Sequence, residues 1–386
     1  MTVINILLLV GLFMVAVLAA YLWGRLQAGR GAGSAASEQR TDQPAPARPT
    51  PVAASTVELP RDVPTVPHSR APSDPVMPSK NRPLRPVIGP NAAAVELNRP
   101  AVANITSWGY QLQKLDVAHA AASPFDLLVI DYSHDGSQER VITPAEMAKL
   151  KCKPDGSRRL VVSYVSIGEA EDYRFYWDDA WKGHQPKWLL PENKEWKGNY
   201  PVCFWEPGWQ SVICGSPGAY LDRIMALGFD GVYLDKCDVF EDLQEKLPKV
   251  AATRPNLEGD MVKFIVGITR YLKSQDPNAI VIMQNAETLL EHGELLRVID
   301  GVAKESLLYG INGPEQQNPA DEIEFSSALL QKAKAAGKAV MVVEYLNSAT
   351  KIAHANAVLN GSGHVLYIAP KDRDLKKLNY DEPLSA

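Results

Sequence analysis

From about residue 101 onward, short apolar runs rich in β-branched residues alternate with stretches whose apolar positions recur every three or four residues. That alternation predicts repeated strand–helix units. The predicted strands cover 104–111, 125–133, 159–168, 228–237, 279–287, 301–309, 339–346 and 364–370, and the predicted helices 144–150, 217–227, 259–274, 288–298, 322–336 and 349–359. Strand interiors such as VVSYV and IVIM are nearly continuous apolar runs. Parallel strands covered on their outer face by helices need such runs, whereas half-solvated antiparallel strands would alternate. Thr143 before Pro144 offers an N-cap and a proline at the first helical position, and Gly228 and Gly337 can stop helices. Eight units in about 270 residues match an α/β fold of the (β/α)8 TIM barrel class. A doubly wound sheet would carry a Gly-rich phosphate turn after its first strand, and SWGYQLQ has none.

The first hundred residues follow a different pattern. Residues 3–23 form an uncharged apolar run, with Asn5 its one strongly polar side chain, long enough to cross a bilayer as a helix. Three readings stand: an uncleaved transmembrane anchor, a cleaved signal peptide ending near Val17-Leu18-Ala19, or a buried helix. The absence of Lys or Arg before the run speaks against cleavage, and Arg25 and Arg30 behind it pull toward the cytoplasm under the positive-inside tendency. Residues 24–100 hold 14 of the 29 prolines and no long apolar run, the composition of a disordered, semi-extended linker. The domain plan is therefore 1–23 anchor or signal, 24–100 linker and 101–386 barrel. The expected location is a membrane, facing the periplasm or cell exterior, or outside the cell.

Charge narrows the partners. Ten Lys/Arg against six Asp/Glu give the linker +4; with −5 for the whole chain and an uncharged 1–23, residues 101–386 carry −9. An acidic barrel without a basic stripe interleaved with aromatics excludes nucleic acid as a partner. The four cysteines, at 152, 203, 214 and 237, form no C-x-x-C pair, and the seven histidines have no ligand spacing, so neither metal nor cofactor is expected. Cys203 and Cys214 share one long loop and are a candidate disulfide in an oxidising compartment.

Barrel chemistry sits where the strands end. Asp131, Glu169, Asp235, Asp238, Glu287, Glu305 and Glu344 all fall in or just past apolar strand cores, and carboxylates are seldom buried without a partner or a task. Trp108, Tyr110, Tyr132, Tyr164, Tyr309 and Tyr345 lie on strands or strand ends, and more aromatics, Trp196 among them, crowd the connection 169–216. Flat amphipathic rings beside carboxylates suit a sugar. Cleaving a glycosidic bond needs one carboxylic acid and one carboxylate. Asp235 and Glu287 end adjacent predicted strands and are the leading pair. Glu287, with its longer reach and higher intrinsic pKa, is the expected proton donor and Asp235 the ionised partner, while Glu305 competes for the acid/base role. Asp131, Glu169, Arg174, Gln284, Asn285 and Glu344 are candidate substrate contacts. A non-catalytic carbohydrate-binding barrel, or a deacetylase or lyase, uses the same surface differently and stays open.

Five segments then carry a resemblance: YVSIGEAEDYRFYW (164–177), the stretch PKWLLPENKEWKGNYPV to CFWEPGW (186–209), GFDGVYLDKCD (228–238), IMQNAE (282–287) and ESLLYG (305–310). Together, over about 101–370, they resemble the endo-α-1,4-polygalactosaminidase-like family of glycoside hydrolases, closest to its bacterial branch. The resemblance implies a (β/α)8 barrel acting on α-1,4-linked galactosamine-containing polymers. It also implies a catalytic Asp at the fourth strand and a Glu after it, which carry over to Asp235 and Glu287.

Overall fold

The structure, a computed structural model, describes residues 99–380. The anchor or signal segment, and all but the last two residues of the predicted linker, lie outside them. Among the described residues no helix is long and apolar enough to cross a membrane.

Ten strands are present among the described residues: β1 (Trp108–Gln111), β2 (Leu127–Ile130), β3 (Leu160–Ser166), β4 (Glu169–Glu171), β5 (Asn199–Pro201), β6 (Gly231–Asp235), β7 (Ile280–Gln284), β8 (Gly301–Glu305), β9 (Ala339–Tyr345) and β10 (Val365–Ala369). Eight pair in parallel in the order β1-β2-β3-β6-β7-β8-β9-β10, each inside one of the predicted strand segments. β4 and β5 form a separate antiparallel hairpin inside the long insertion after β3. Three residues each, they are too short to show a period of two, and the sequence reading passed over them. Helices follow the expected caps. Thr143 and Glu146 form a reciprocal capping box on Pro144–Leu150.

The ladder is nearly closed. β1 and β10 share no strand pairing, and side chains with a C-terminal strap bridge their edges instead. Trp108 Nε1 donates to the Val365 carbonyl at 2.9 Å. Leu112 N and Gln113 N donate to the Leu375 carbonyl, Gln111 Nε2 donates to the Lys376 carbonyl at 2.8 Å, and Asn379 Nδ2 to the Ile368 carbonyl at 3.1 Å. The edge polar groups of an open barrel are thus satisfied without a ninth strand. Leu378, fully buried, fills the same seam; a Cβ on Gly109 would sit 2.6 Å from the Phe125 ring and 2.9 Å from Leu378.

The interior is ordered by register. Ser166 pairs with Asp235, Leu234 with Met283, Gln284 with Ala303 and Glu305 with Val343. With the stagger of about one residue per strand that an eight-stranded barrel requires, inward side chains fall into layers of four from alternate strands. The lower layers are aromatic and aliphatic: Trp108 with Val162, Ile282 and Met341, then Val129 with Tyr233, Ala303 and Tyr367. Ring contacts of 5.4–6.3 Å among Trp108, Tyr110, Tyr233 and Tyr367 fill the barrel across strands. Above come Tyr110, Tyr164, Gln284 and Val343. The top layer is Asp131, Asp235, Glu305 and Ala369.

If the strap closes the barrel, Leu378→Ala should cost about 2–5 kcal/mol of unfolding free energy. Gly109→Ala, which overfills the same seam, should cost about 1–3 kcal/mol. Urea unfolding followed by tryptophan fluorescence measures both, and wild-type midpoints for both variants would refute the seam.

Candidate active site

Strands β6, β7 and β8 leave the barrel alike. The residue after each strand end, Lys236, Asn285 and Ser306, has a left-handed backbone with φ of 57, 54 and 54°. Non-glycine residues seldom adopt this conformation, and it clusters where surrounding structure overrides local preference. Each turn bends the chain off the rim directly after an inward side chain, so Asp235, Gln284 and Glu305 point into the mouth. Asp235 and Glu305, two strands apart and two residues apart in register, stand at one height.

Their surroundings differ. Tyr164 donates its hydroxyl to Asp235 Oδ2 at 2.6 Å. Burial, with the charge of Glu305 second and the Tyr164 bond opposing, pushes Asp235 up to about 7. Asp235 is therefore not the permanently ionised member that the sequence reading expects. Glu305 accepts from the Tyr345 hydroxyl and, at 3.4 Å, from Asn285 Nδ2, while its own backbone N–H donates to Asn285 Oδ1 at 3.0 Å. The Arg373 guanidinium lies over the Tyr345 ring, 4.5 Å from its centroid. Beneath the pair, Tyr110 donates to Gln284 Oε1 at 3.3 Å. Tyr110, Tyr164, Gln284, Asn285 and Tyr345 thus gather at the two carboxylates.

Asp131 completes the acidic layer and is already occupied. Arg174 Nη1 donates to its Oδ2 at 2.7 Å, and Arg174 Nε donates to Glu171 Oε2 at 2.6 Å. Burial raises the pKa of Asp131 despite that guanidinium. Tyr173 donates to Glu171 Oε1 at 2.5 Å, and the Arg174 guanidinium lies 5.5 Å from the Tyr132 ring centroid and 5.6 Å from that of Tyr220. Tyr132 itself donates to the Gly136 carbonyl at 3.2 Å. Arg174 and Tyr132 are committed to this buried cluster, which fixes the insertion to β2. Glu169, also buried, accepts from Asn193 Nδ2 at 2.9 Å and Asn199 Nδ2 at 3.2 Å, with Lys236 Nζ 3.8 Å away. Gly168 lets the insertion pass the rim, since a Cβ there would lie 2.3 Å from the Lys236 carbonyl oxygen.

Other expected site residues lie elsewhere. Glu287 is not beside Asp235. It starts the 3-10 turn Glu287–Glu291 beyond two left-handed residues, Asn285 and Ala286. There its Oε1 meets Lys304 Nζ at 3.1 Å and accepts from Ser326 Oγ at 2.5 Å. Burial, the largest single influence, would raise it; the Lys304 ammonium, the Ser326 hydroxyl and its own backbone N–H together outweigh burial and hold it below its ordinary value. Lys304 precedes Glu305 on β8 and so faces outward, toward the helices. Glu344 faces outward beside inward Tyr345 and accepts from the Leu308 N–H at 2.7 Å; burial, opposed by the amides of Leu307–Tyr309, pushes it up to about 7. Trp108 belongs to the lowest interior layer, and Tyr309 bonds to His354 Nδ1 at 2.8 Å. Cys203 and Cys214 are buried free thiols. Glu171, Asn193 and Ser326 were missed; the i,i+3 spacing of Glu171 and Arg174 was the one sequence signal available for any of them.

A cavity of about 810 Å³ opens at the opposite, N-terminal end of the barrel, lined in part by Thr106, Asp126, Lys153 and Arg158. Its charges are engaged in ion pairs, Lys153 with Asp126 at 3.0 Å and Arg158 with Asp230 at 2.6 Å. Conserving the integrity of the barrel is the usual task of that face, and chemistry belongs to the other.

Comparison with known proteins bears on the fold and the family. An uncharacterized protein of Methanocaldococcus jannaschii is 43% identical over 283 residues, 70% of this chain and 78% of that protein. An uncharacterized protein of Thermotoga maritima is 32% identical, covering 72% of this chain and 84% of its own. Among solved structures, the glycoside hydrolase domain of PelA from Pseudomonas aeruginosa superposes with a TM-score of 0.51 at 20% identity, over 71% of this chain and 97% of that domain, a likeness of fold. The model of glycoside-hydrolase family GH114 matches residues 89–382, and the chain belongs to that family.

Proposed function

We propose that the protein is an endo-acting glycosidase whose reaction is run by Asp235 and Glu305, on an α-1,4-linked galactosamine-containing or related exopolysaccharide or cell-envelope glycan. The observation that carries this reading is the placement of two carboxyls in one interior layer, each held by its own tyrosine hydroxyl. Near neutral pH, burial and the charge of Glu305 let Asp235 hold a proton. The protonated member can donate to the leaving oxygen while the ionised member faces the anomeric carbon or activates water, the division of labour that glycoside hydrolysis requires. The −9 charge of residues 101–386 favours a partly cationic polymer. Residues 3–23 and the Pro-rich stretch behind them support a barrel held outside the cytoplasm, tethered or secreted.

Asp235→Asn and Glu305→Gln should each lower turnover on such a glycan at least about 100-fold. Glu287→Gln should keep turnover within about tenfold and lose roughly 1–3 kcal/mol of stability, because it leaves Lys304 without its countercharge. Reducing-end release and urea unfolding on the same preparations separate the two effects. Equal damage to turnover from Glu287→Gln and Glu305→Gln would overturn the pairing.

The shift of Asp235 also fixes a sign. Its folded pKa, about 7, lies above the unfolded value near 3.8, so folding favours the protonated form. The associated stability is complete below about pH 4 and is lost as pH rises through 7. Asp235→Asn carries no such dependence. Its melting temperature relative to wild type should therefore rise between pH 5 and pH 8, by the equivalent of about 3 kcal/mol in stability. A gap independent of pH would show that Asp235 is ionised throughout.

Deleting residues 3–23 should remove the protein from carbonate-washed membranes or stop its export. Unchanged fractionation would refute the outward location.

A further inference from the structure

Among the described residues five large apolar side chains are exposed; Phe325 and Val358 lie on helices, and the other three lie on segments that follow barrel strands. Tyr173 and Trp196 both belong to the insertion after β3, with relative exposures of 46% and 62%, and Ile311, at 55%, lies in the segment after β8. Trp196 is the most exposed of these. The loop that bears it is nevertheless rigidly built: Gly198 N donates to Glu192 Oε1 at 2.7 Å, Glu195 N to Asn193 Oδ1 at 3.0 Å, Asn193 N to the Asn199 carbonyl at 2.7 Å and Asn199 N to the Trp196 carbonyl at 3.1 Å. Gly198 turns with φ of +87°, and a Cβ there would lie 2.8 Å from Asp172 Oδ1.

The loop is also mounted on the site. Asn193 and Asn199 hold the two oxygens of buried Glu169, and Glu169 approaches Lys236, the residue after Asp235. Displacement of Trp196 from the carboxyl pair is thus set by a short chain of bonded groups. An indole displayed to water by an ordered loop contributes little to the core, whereas a flat amphipathic face suits stacking on a sugar ring. Exposed Lys194 and Lys197 flank it, and the loop's two carboxylates are engaged, Glu192 by the Gly198 N–H and Glu195 by Lys246 Nζ at 3.6 Å, so nothing near the indole attracts an ammonium-bearing unit.

We propose that Trp196 is the platform of a distal subsite that stacks an uncharged, N-acetylated sugar of the substrate strand, beyond the units flanking the cleaved bond. This rests on the glycosidase reading and names what its extended cleft selects. A stacking contact that is equal in ground and transition states acts on KM rather than kcat, and a platform beyond the units flanking the cleaved bond is expected to be of that kind.

The test uses the full chain, Trp196→Ala and Trp196→Phe. The substrates are a partly N-acetylated α-1,4-linked galactosamine polymer, its fully deacetylated form and the partly acetylated tetrasaccharide. For Trp196→Ala the ratio of kcat/KM on the partly acetylated polymer to that on the tetrasaccharide should fall about five- to tenfold, through KM, with partial recovery in Trp196→Phe. The melting temperature should stay at the wild-type value. An unchanged ratio would overturn the subsite, and a fall confined to the deacetylated polymer would overturn the choice of an uncharged sugar. Retardation of Asp235→Asn in gels containing the partly acetylated polymer is read in parallel, with and without Trp196→Ala. Retardation that needs Trp196, without cleavage by wild type, would sink the glycosidase reading and keep the subsite. Retardation indifferent to Trp196, or none at all, would sink the subsite even where wild type cleaves.

Discussion

Two carboxylates at one height inside a ring of parallel strands repel each other, and both resist leaving water. The rest of the mouth follows from having to hold them there. The two-residue alternation of a strand and the one-residue stagger between strands bring Asp235 and Glu305 into a single layer. Once there, the pair needs donors that do not cancel its charge. Tyr164 and Tyr345 supply one hydroxyl each, and an arginine or lysine at either position would pull down the raised pKa of Asp235 that the chemistry needs.

The barrel separates carboxylates by parity. Asp131, Asp235 and Glu305 face inward; Glu287 and Glu344 belong to the outer wall and serve the backbone and Lys304 instead. The same side-chain chemistry therefore has two fates, set by one residue of offset along the chain. Burial raises the pKa of outward Glu344 as it does that of inward Asp131 and Asp235, whereas Lys304 and Ser326 help to hold outward Glu287 low. The offset therefore decides what each carboxyl can reach, not whether it can hold a proton.

Much of this was legible beforehand. Most barrel strands show as apolar runs because helices cover their outer faces, and Asp235 lies at the end of such a run, while Glu305 follows the short GVAK. The choice between Glu287 and Glu305 was legible only in part. Counted from inward Gln284, Glu287 stands three positions on, the wrong parity for the mouth, yet a predicted strand reaching to 287 conceals that the ladder ends at Gln284. Two consecutive left-handed residues, Asn285 and Ala286, make the difference, and alanine gives no hint of such a backbone. The hairpin of β4 and β5 is held by Glu169 and two asparagine amides, contacts whose partners lie 24 and 30 residues away and leave no local period to read.

Strand β8 shows how a repelled group is kept in place. On its outer side Lys304 is tied to Glu287, which Ser326 of the helix Ala320–Ala335 also holds. On its inner side Glu305 is tied to Tyr345 and Asn285, and just beyond its end Glu344 grips the Leu308 amide. Each contact is worth little alone, but together they leave Glu305 no relaxed alternative away from Asp235. Relief of the repulsion then has to come from a proton rather than from movement. A pair that can relax only by binding a proton is in the state needed to give that proton to a leaving oxygen. The ion pair on the outside of the barrel and the proton on the inside are thus two consequences of the same strand end.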